Sequence, residues 1–163
     1  MFDTRSTDQG TNLMTIGYEG AVLADFIETL KLSGVRSLID VRELPLSRKK
    51  GFSKTALRNA VEEAGIAYLH ERQLGDPKPG RDAARSGDME TFSRIFHAHI
   101  QSPESREALK SLLPIVAMGG ACLLCFERNH EYCHRNIVAN ELSKLARIEL
   151  LHIGVSQGIA GRK

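Results

Sequence analysis

Two triplets late in the chain carry the residue types that chemistry uses most, Cys125-Phe126-Glu127 and Cys133-His134-Arg135. A thiol beside an imidazole and a carboxylate suits covalent or proton-transfer chemistry. Cys133 then serves as a nucleophile or as an electrostatic part of a pocket. Glu127 and His134 move protons, or Glu127 orients His134. The second triplet falls at a predicted helix start, where free backbone N–H groups and the helix dipole favour anions. Arg135 is placed to bind one, and the same field is expected to lower the pKa of Cys133. A competing reading makes Cys133 a small apolar residue that packs the helix onto a sheet. Cys125, Cys133 and His134 also form a soft sulfur and nitrogen ligand set that suits zinc. Thiol redox chemistry between Cys125 and Cys133 is a further alternative. The literal His-Glu-x-x-His string at 130–134 straddles a predicted loop and helix start, so the ligand geometry of a zinc protease is not assured. Cys122 reads as core.

A second group lies earlier. Asp40 ends an apolar run, where charge is rarely tolerated without a partner, and Arg42 or Arg135 could supply it. The pair is either a structural salt bridge or an arginine held so that its free fork meets an anion, with Asp40 a candidate catalytic residue. Residues 47–54 form the main basic run. Ser47 and Lys54 could contact phosphate and Phe52 could stack on a base, unless the run is a solvated loop. Tyr18 completes the candidate set.

These residues need a scaffold that gathers them. Leu13–Ile16 reads as a strand ending at Gly17-Tyr18-Glu19-Gly20, followed by helical spacing from Val22 to Leu30. Val35–Val41 is a second strand, stopped by Pro45, and Ser53 caps a helix through Ala64. Ile66–Leu69 is a third strand. Residues 75–87, rich in Gly, Pro, Asp and Arg, read as a long loop that could close over a site. Met89–Ile100 is a helix. A second helix has Ser102 as its cap and Pro103 in its first turn, with Pro114 kinking it or lying near its end. Ala121–Phe126 is a buried strand, then comes a polar loop, a helix carrying Ile137 to Leu145, and a last strand at Ile148–Ile153.

Strands alternating with helices predict an α/β fold: one domain with a mostly parallel sheet of about five strands and helices on both faces. Residues 1–12 are expected to be a flexible tail, 13–153 the domain and 154–163 a second tail. Ligands of such sheets bind outside the carboxyl ends of the strands, which is where Tyr18, Asp40, Arg42, Cys125 and Glu127 fall.

Composition narrows the function classes. The 163 residues suffice for one domain with a real core. A net charge of +2 is too small for a general nucleic-acid binder, although a local basic patch remains compatible with one. Three cysteines and no N-terminal apolar signal argue for a reducing, cytoplasmic setting rather than a disulfide scaffold. No apolar run reaches the roughly 20 residues of a membrane span. A Walker phosphate loop and a Gly-x-Gly-x-x-Gly motif are both lacking, which argues against a dinucleotide oxidoreductase.

The motifs Thr15-Ile16-Gly17-Tyr18-Glu19-Gly20, Asp40-Val41-Arg42 with Pro45 and Ser47, Leu74-Gly75, Leu124-Cys125-Phe126-Glu127 and Cys133-His134-Arg135, in this order, resemble the bacterial and archaeal family named domain of unknown function 488. The resemblance covers residues 13 to 150. It implies a small cytosolic α/β protein without implying a reaction, and it carries over the motif residues listed above but not His130. The leading expectation is an enzyme acting on a small anionic, phosphate-bearing substrate, with a nucleotide or a nucleic-acid end as candidates. Arg42, Arg135, Tyr18, Ser47 and Lys54 would bind it, and Asp40, Glu127, Cys133 and His134 would act on it. A nucleic-acid-binding or regulatory module and a zinc-dependent hydrolase stand as rivals.

Overall fold

Short apolar strands, separated by helices long enough to cross back, can pair only in parallel. The computed structural model, which describes residues 11–162, shows this. Its elements are β1 (Thr11–Gly17), α1 (Leu23–Leu32), β2 (Ser37–Asp40), α2 (Lys54–Glu63), β3 (Ala67–His70), α3 (Lys78–Arg85), α4 (Met89–Ile100), α5 (Pro103–Ala117), β4 (Ala121–Cys125), α6 (His134–Leu145) and β5 (Ile148–Ile153). Three short 3-10 turns complete them, at Arg72–Leu74, His130–Tyr132 and Ile159–Gly161. The five strands form one parallel sheet in the order β3-β2-β4-β1-β5. Among the described residues, no helix is long and apolar enough to cross a membrane.

Alternation along each strand divides the core in two. Met14, Ile16, Leu38, Cys122 and Leu124 face Phe26 and Leu30 of α1 and Leu57 and Val61 of α2. Leu13, Ile39, Ala121 and Leu123 face α4, α5 and α6 through Phe96, Leu109, Leu112, Val138 and Leu142. Both faces are covered, which explains why β4 is buried throughout.

Three boundaries differ from the sequence reading. β1 starts at Thr11, because pairing with β5 extends to Ile148; residues 1–10 of the expected tail lie outside the described residues. The segment after Gly154 is docked: Asp25 of α1 accepts hydrogen bonds from the backbone N–H groups of Gly158 (2.8 Å) and Ala160 (3.0 Å). Within the expected loop at 75–87 lies α3. Its Pro79 and Gly80 occupy the first turn, where a missing N–H costs nothing, and Lys78 pairs with Asp82 one turn on at 2.9 Å. Pro114 sits inside α5, near its end.

The sheet is tightest where β1 meets the end of β4. Gly17 is in register with Cys125, and pairing continues beyond the strands through Tyr18 N–H to Cys125 O (3.3 Å) and Glu19 N–H to Phe126 O (2.8 Å). A Cβ at Gly17 would lie 1.8 Å from the Glu127 carbonyl oxygen. Only glycine fits this contact without moving a backbone. Gly17→Ala is expected to destabilise the fold by about 2–4 kcal/mol, a cost typical of forced backbone shifts. Urea denaturation should show a lower midpoint with an unchanged slope, and an unchanged midpoint would contradict the contact.

Candidate functional site

The connections leaving β1 and β2 carry α1 and α2 to one face of the sheet. Those leaving β3 and β4 carry α3 to α6 to the other. β4 sits between β1 and β2, so a crevice opens at its carboxyl end. A cavity of about 540 Å³ occupies this place. Its buried lining is Tyr18, Arg42, Asp76, Cys125 and His134; Leu44, Leu46, Arg48, Arg85, Phe126 and Tyr132 line it from the exposed side. Glu43, Ser47, Arg81 and Glu127 lie between.

Asp40 and Arg42 form the clamp beside this cavity. Arg42 Nε and Nη2 meet the two carboxylate oxygens of Asp40 at 2.9 and 2.8 Å. Asp40 also accepts from the Arg42 backbone N–H (3.1 Å) and the Tyr68 hydroxyl (2.5 Å). Four donors saturate a fully buried carboxylate that does not line the cavity, so in this geometry Asp40 holds Arg42 in place. Arg42 Nη1 donates to the Phe52 carbonyl (2.7 Å) and the Tyr18 hydroxyl (3.2 Å). Burial works against its charge, but Asp40 outweighs that and raises the guanidinium above its ordinary value. One N–H of the expected free fork remains. Burial and the Asp40 carboxylate likewise push the Tyr68 hydroxyl up.

Phe52 is fully buried and stacks on Tyr18, with centroids 4.5 Å apart and planes 8° from parallel. It braces the site and cannot stack on a base. Lys54, at the start of α2, lies outside the cavity lining, whereas Ser47 and Arg48 belong to it.

Arg135 is also displaced from its expected role. It is fully buried and outside the cavity lining. Its Nε donates to Thr15 Oγ1 (3.1 Å), Nη1 to the Glu127 carbonyl and Nη2 to the Arg128 carbonyl (3.2 Å). These bonds tie the segment after β4 to β1. Arg135 holds the loop and is not positioned to meet an anion in the cavity.

Cys125, Cys133 and His134 converge. Their ligand-type atoms lie within 4.8 Å of one another and all three residues are buried. His134 Nδ1 is 3.5 Å from Cys125 Sγ and 3.9 Å from Cys133 Sγ, while Nε2 lies 2.5 Å from the Val41 carbonyl. A carbonyl only accepts, so Nε2 carries a proton and Nδ1 faces the sulfurs. Cys125 Sγ also reaches Glu127 Oε2 at 3.4 Å. Cys125 and His134 line the cavity, and Cys133 does not. The expected lowering of the Cys133 pKa at the helix start is reversed, because burial pushes both thiols up. Desolvation opposes an imidazolium at His134, but its contact with Cys133, the Val41 carbonyl and Asp76 outweigh it and raise the imidazole to about 9. The His-Glu-x-x-His string does not form a zinc-protease helix: His130 lies in a 3-10 turn, its ring stacks on His152 at 3.5 Å, and it is not among the residues gathered with His134.

Five charged lining residues lie outside the candidate site read from the sequence: Glu43, Arg48, Asp76, Arg81 and Arg85. Arg81 pairs with Glu43 at 2.7 Å and donates to the Asp76 backbone carbonyl, also at 2.7 Å. Asp76 is 5% exposed, and its Oδ1 has no hydrogen-bond partner among the described residues. Burial raises its carboxyl from 3.8 to about 6. The signal in the sequence was Gly80: a Cβ there would lie 2.1 Å from Asp76 Oδ1, so a glycine is needed for the carboxyl to tuck under α3.

A family profile, described as domain of unknown function DUF488, matches residues 22–142, about three quarters of the chain. The chain belongs to this family. No curated protein and no solved structure matches it.

Two predictions test how this DUF488 protein holds its site. Asp40→Ala leaves the buried Arg42 without its partner and should cost about 3–5 kcal/mol, against about 1 kcal/mol or less for Glu43→Ala in its more open pair. Equal losses in denaturant melts would show that the clamp is not special. The second concerns pH. The Asp76 carboxyl titrates at about 6 in the folded protein against 3.8 ordinarily. The unfolded chain therefore releases this proton first, and stability falls as pH rises through that interval and stays lower above it. Asp76→Asn cannot ionise, so it should gain on the wild type between about pH 4 and pH 7. Melts of both proteins at the two pH values check this, and a difference independent of pH would refute it.

Proposed function

We propose that this protein is an enzyme that hydrolyses or transfers a group on a small phosphate-bearing substrate, a nucleotide or a nucleic-acid end being suitable, held in the cavity at the end of β4. One observation carries the reading: two arginines with no ion pair among the described residues, Arg48 and Arg85, share a cavity of about 540 Å³ with the buried Asp76 carboxyl, which burial raises to about 6. Arg42 and Arg81 are already neutralised by Asp40 and Glu43. The lining cations left without an ion pair among the described residues are therefore Arg48 and Arg85, on the exposed side, while the acidic groups Asp76 and Glu127 lie deeper. Guanidinium groups favour phosphate by charge and by planar geometry.

The remaining lining suits such a substrate. Leu46, Phe126 and Tyr132 are 72%, 44% and 56% exposed and offer apolar surface to a ring or chain. Ser47 adds a hydroxyl beside Arg48. Asp76 and Glu127 are placed to move protons, Asp76 near the pH at which general acids and bases work best. Cys125 and His134 close the buried end. Arg42 contributes its one remaining N–H and the rigid backing of Tyr18.

Thermal-shift and calorimetric titrations with pyrophosphate and a panel of nucleoside phosphates test the reading. At least one ligand should raise the melting temperature and bind more weakly as salt rises. Arg48→Ala and Arg85→Ala should each weaken it about tenfold, as loss of a charge-assisted hydrogen bond does. Arg94→Ala, on the exposed surface of α4, should not. Affinities indifferent to both cavity arginines, or no ligand among the phosphates, would overturn the proposal.

A further inference from the structure

We propose that Cys125, Cys133 and His134 are three ligands of a zinc ion, with its fourth position open to the cavity. The first argument is distance. Tetrahedral zinc with sulfur at about 2.3 Å and nitrogen at about 2.05 Å sets its sulfur and nitrogen ligands about 3.6 Å apart. His134 Nδ1 lies 3.5 and 3.9 Å from the two sulfurs. All three ligand atoms lie within 4.8 Å of one another, so side-chain rotation, at Cys125 above all, brings them to ligand distance from one ion.

The second argument is the orientation of the imidazole. A metal-bound histidine usually donates its other ring N–H to a carbonyl or carboxylate, which fixes the tautomer and the ring plane. His134 Nε2 makes this bond to the Val41 carbonyl at 2.5 Å, and Phe96 packs edge-on against the ring at 5.2 Å. The Nδ1 lone pair is thereby left free on the side of the sulfurs; Cys125 Sγ, 3.5 Å from Nδ1 and 4.0 Å from Nε2, lies over the ring and would rotate toward that lone pair to share an ion with it. A histidine serving Cys125 as a simple base would need no second sulfur on that side.

Charge and access complete the case. Two thiolates, a neutral imidazole and a dication sum to zero, which is what a site this deeply buried requires; Cys133 is 2% and Cys125 5% exposed. Soft sulfur ligands select zinc over magnesium or calcium. Cys133 and its helix close one side of the site, while Cys125 and His134 face the cavity. Three protein ligands with an open position is the arrangement of catalytic rather than structural zinc. Glu127, whose Oε2 is 3.4 Å from Cys125 Sγ, stands beside that opening. Metal binding stands on the ligand geometry alone; that the ion would polarise a bound phosphate or activate a water rests on the reading of the cavity given above.

The test is metal analysis of full-length protein purified without chelator and then dialysed against zinc or cobalt. About one equivalent of tightly held zinc is expected, and the cobalt form should show thiolate charge-transfer bands and the intense visible bands of a tetrahedral ion. Cys133→Ser and His134→Ala should lose both signals, and Cys122→Ser, in the core, should keep them. If those two variants fail to fold, the cobalt spectrum of the wild type decides alone. Protein that takes up no metal, forms a Cys125–Cys133 disulfide instead, or retains its ion in Cys133→Ser overturns the proposal. Phosphate titration of the Cys133→Ser protein separates the two readings: binding that still depends on Arg48 and Arg85 would leave the anion cavity intact without the metal.

Discussion

The geometry of the site depends on one buried cation. Arg135 is fully removed from solvent, and three neutral oxygens, of Thr15, Glu127 and Arg128, receive its hydrogen bonds. A charge so placed costs stability unless its donors are well satisfied. Here the acceptors come from β1 and from the segment leaving β4, so satisfying the guanidinium requires these two pieces of chain to lie against each other. The same approach requires glycine at position 17. Once they are joined, the carbonyl of Glu127 is fixed, the run to Cys133 is short, and α6 can only start beneath the cavity. His134 then meets Cys125 and the carbonyl of Val41 without further choice.

The second clamp works in the plane of the sheet. Asp40 ends β2 and Leu124 faces it on β4. With its carboxylate saturated by Arg42 and Tyr68, the loop after β2 must turn over the cavity, bringing Ser47 and Arg48 to its lining and burying Phe52 behind Tyr18. The two most conspicuous arginines of the sequence motifs thus hold the backbone that carries the reactive groups. Arginines less conspicuous in sequence, on a loop and on α3, line the cavity. This division has a physical basis: a guanidinium whose donors are spent on protein acceptors has little left for a substrate, whereas an exposed one keeps its hydrogen-bonding capacity.

This division also explains what could be read without coordinates. Alternating strands and helices with apolar faces sufficed for a parallel α/β sheet, and the rule that ligands bind at strand carboxyl ends pointed to Tyr18, Arg42, Cys125, Glu127 and His134, which line the cavity, as well as to Asp40, Cys133 and Arg135, which do not. The rule says which end of a strand a residue occupies and is silent about what its side chain touches. Arg135 and Cys133 flank His134 in sequence, yet neither lines the cavity. Asp76 and Arg85 were hidden for another reason. Their segment is rich in glycine and proline, which as composition reads as loop, but Pro79 and Gly80 in the first turn of α3 are compatible with a helix, and Gly80 is required by the Asp76 carboxyl packed against it.

The cavity is graded in polarity along its depth, and the grading follows from its construction. At the mouth, solvent supports Arg48 and Arg85 as full charges. At mid-depth, Glu43 and Arg81 are partly covered and neutralise each other, while Asp76, fully covered and lacking a partner for Oδ1, retains its proton up to about pH 6. At the bottom, burial pushes both thiols toward their neutral forms. Any charge the deep end takes on must therefore arrive with its counter-charge. Two thiolates can be stabilised there by a dication held between them, and an anion at the mouth would then lie between that dication and the arginines. The two proposed ligands would favour each other electrostatically, although neither needs the other to bind.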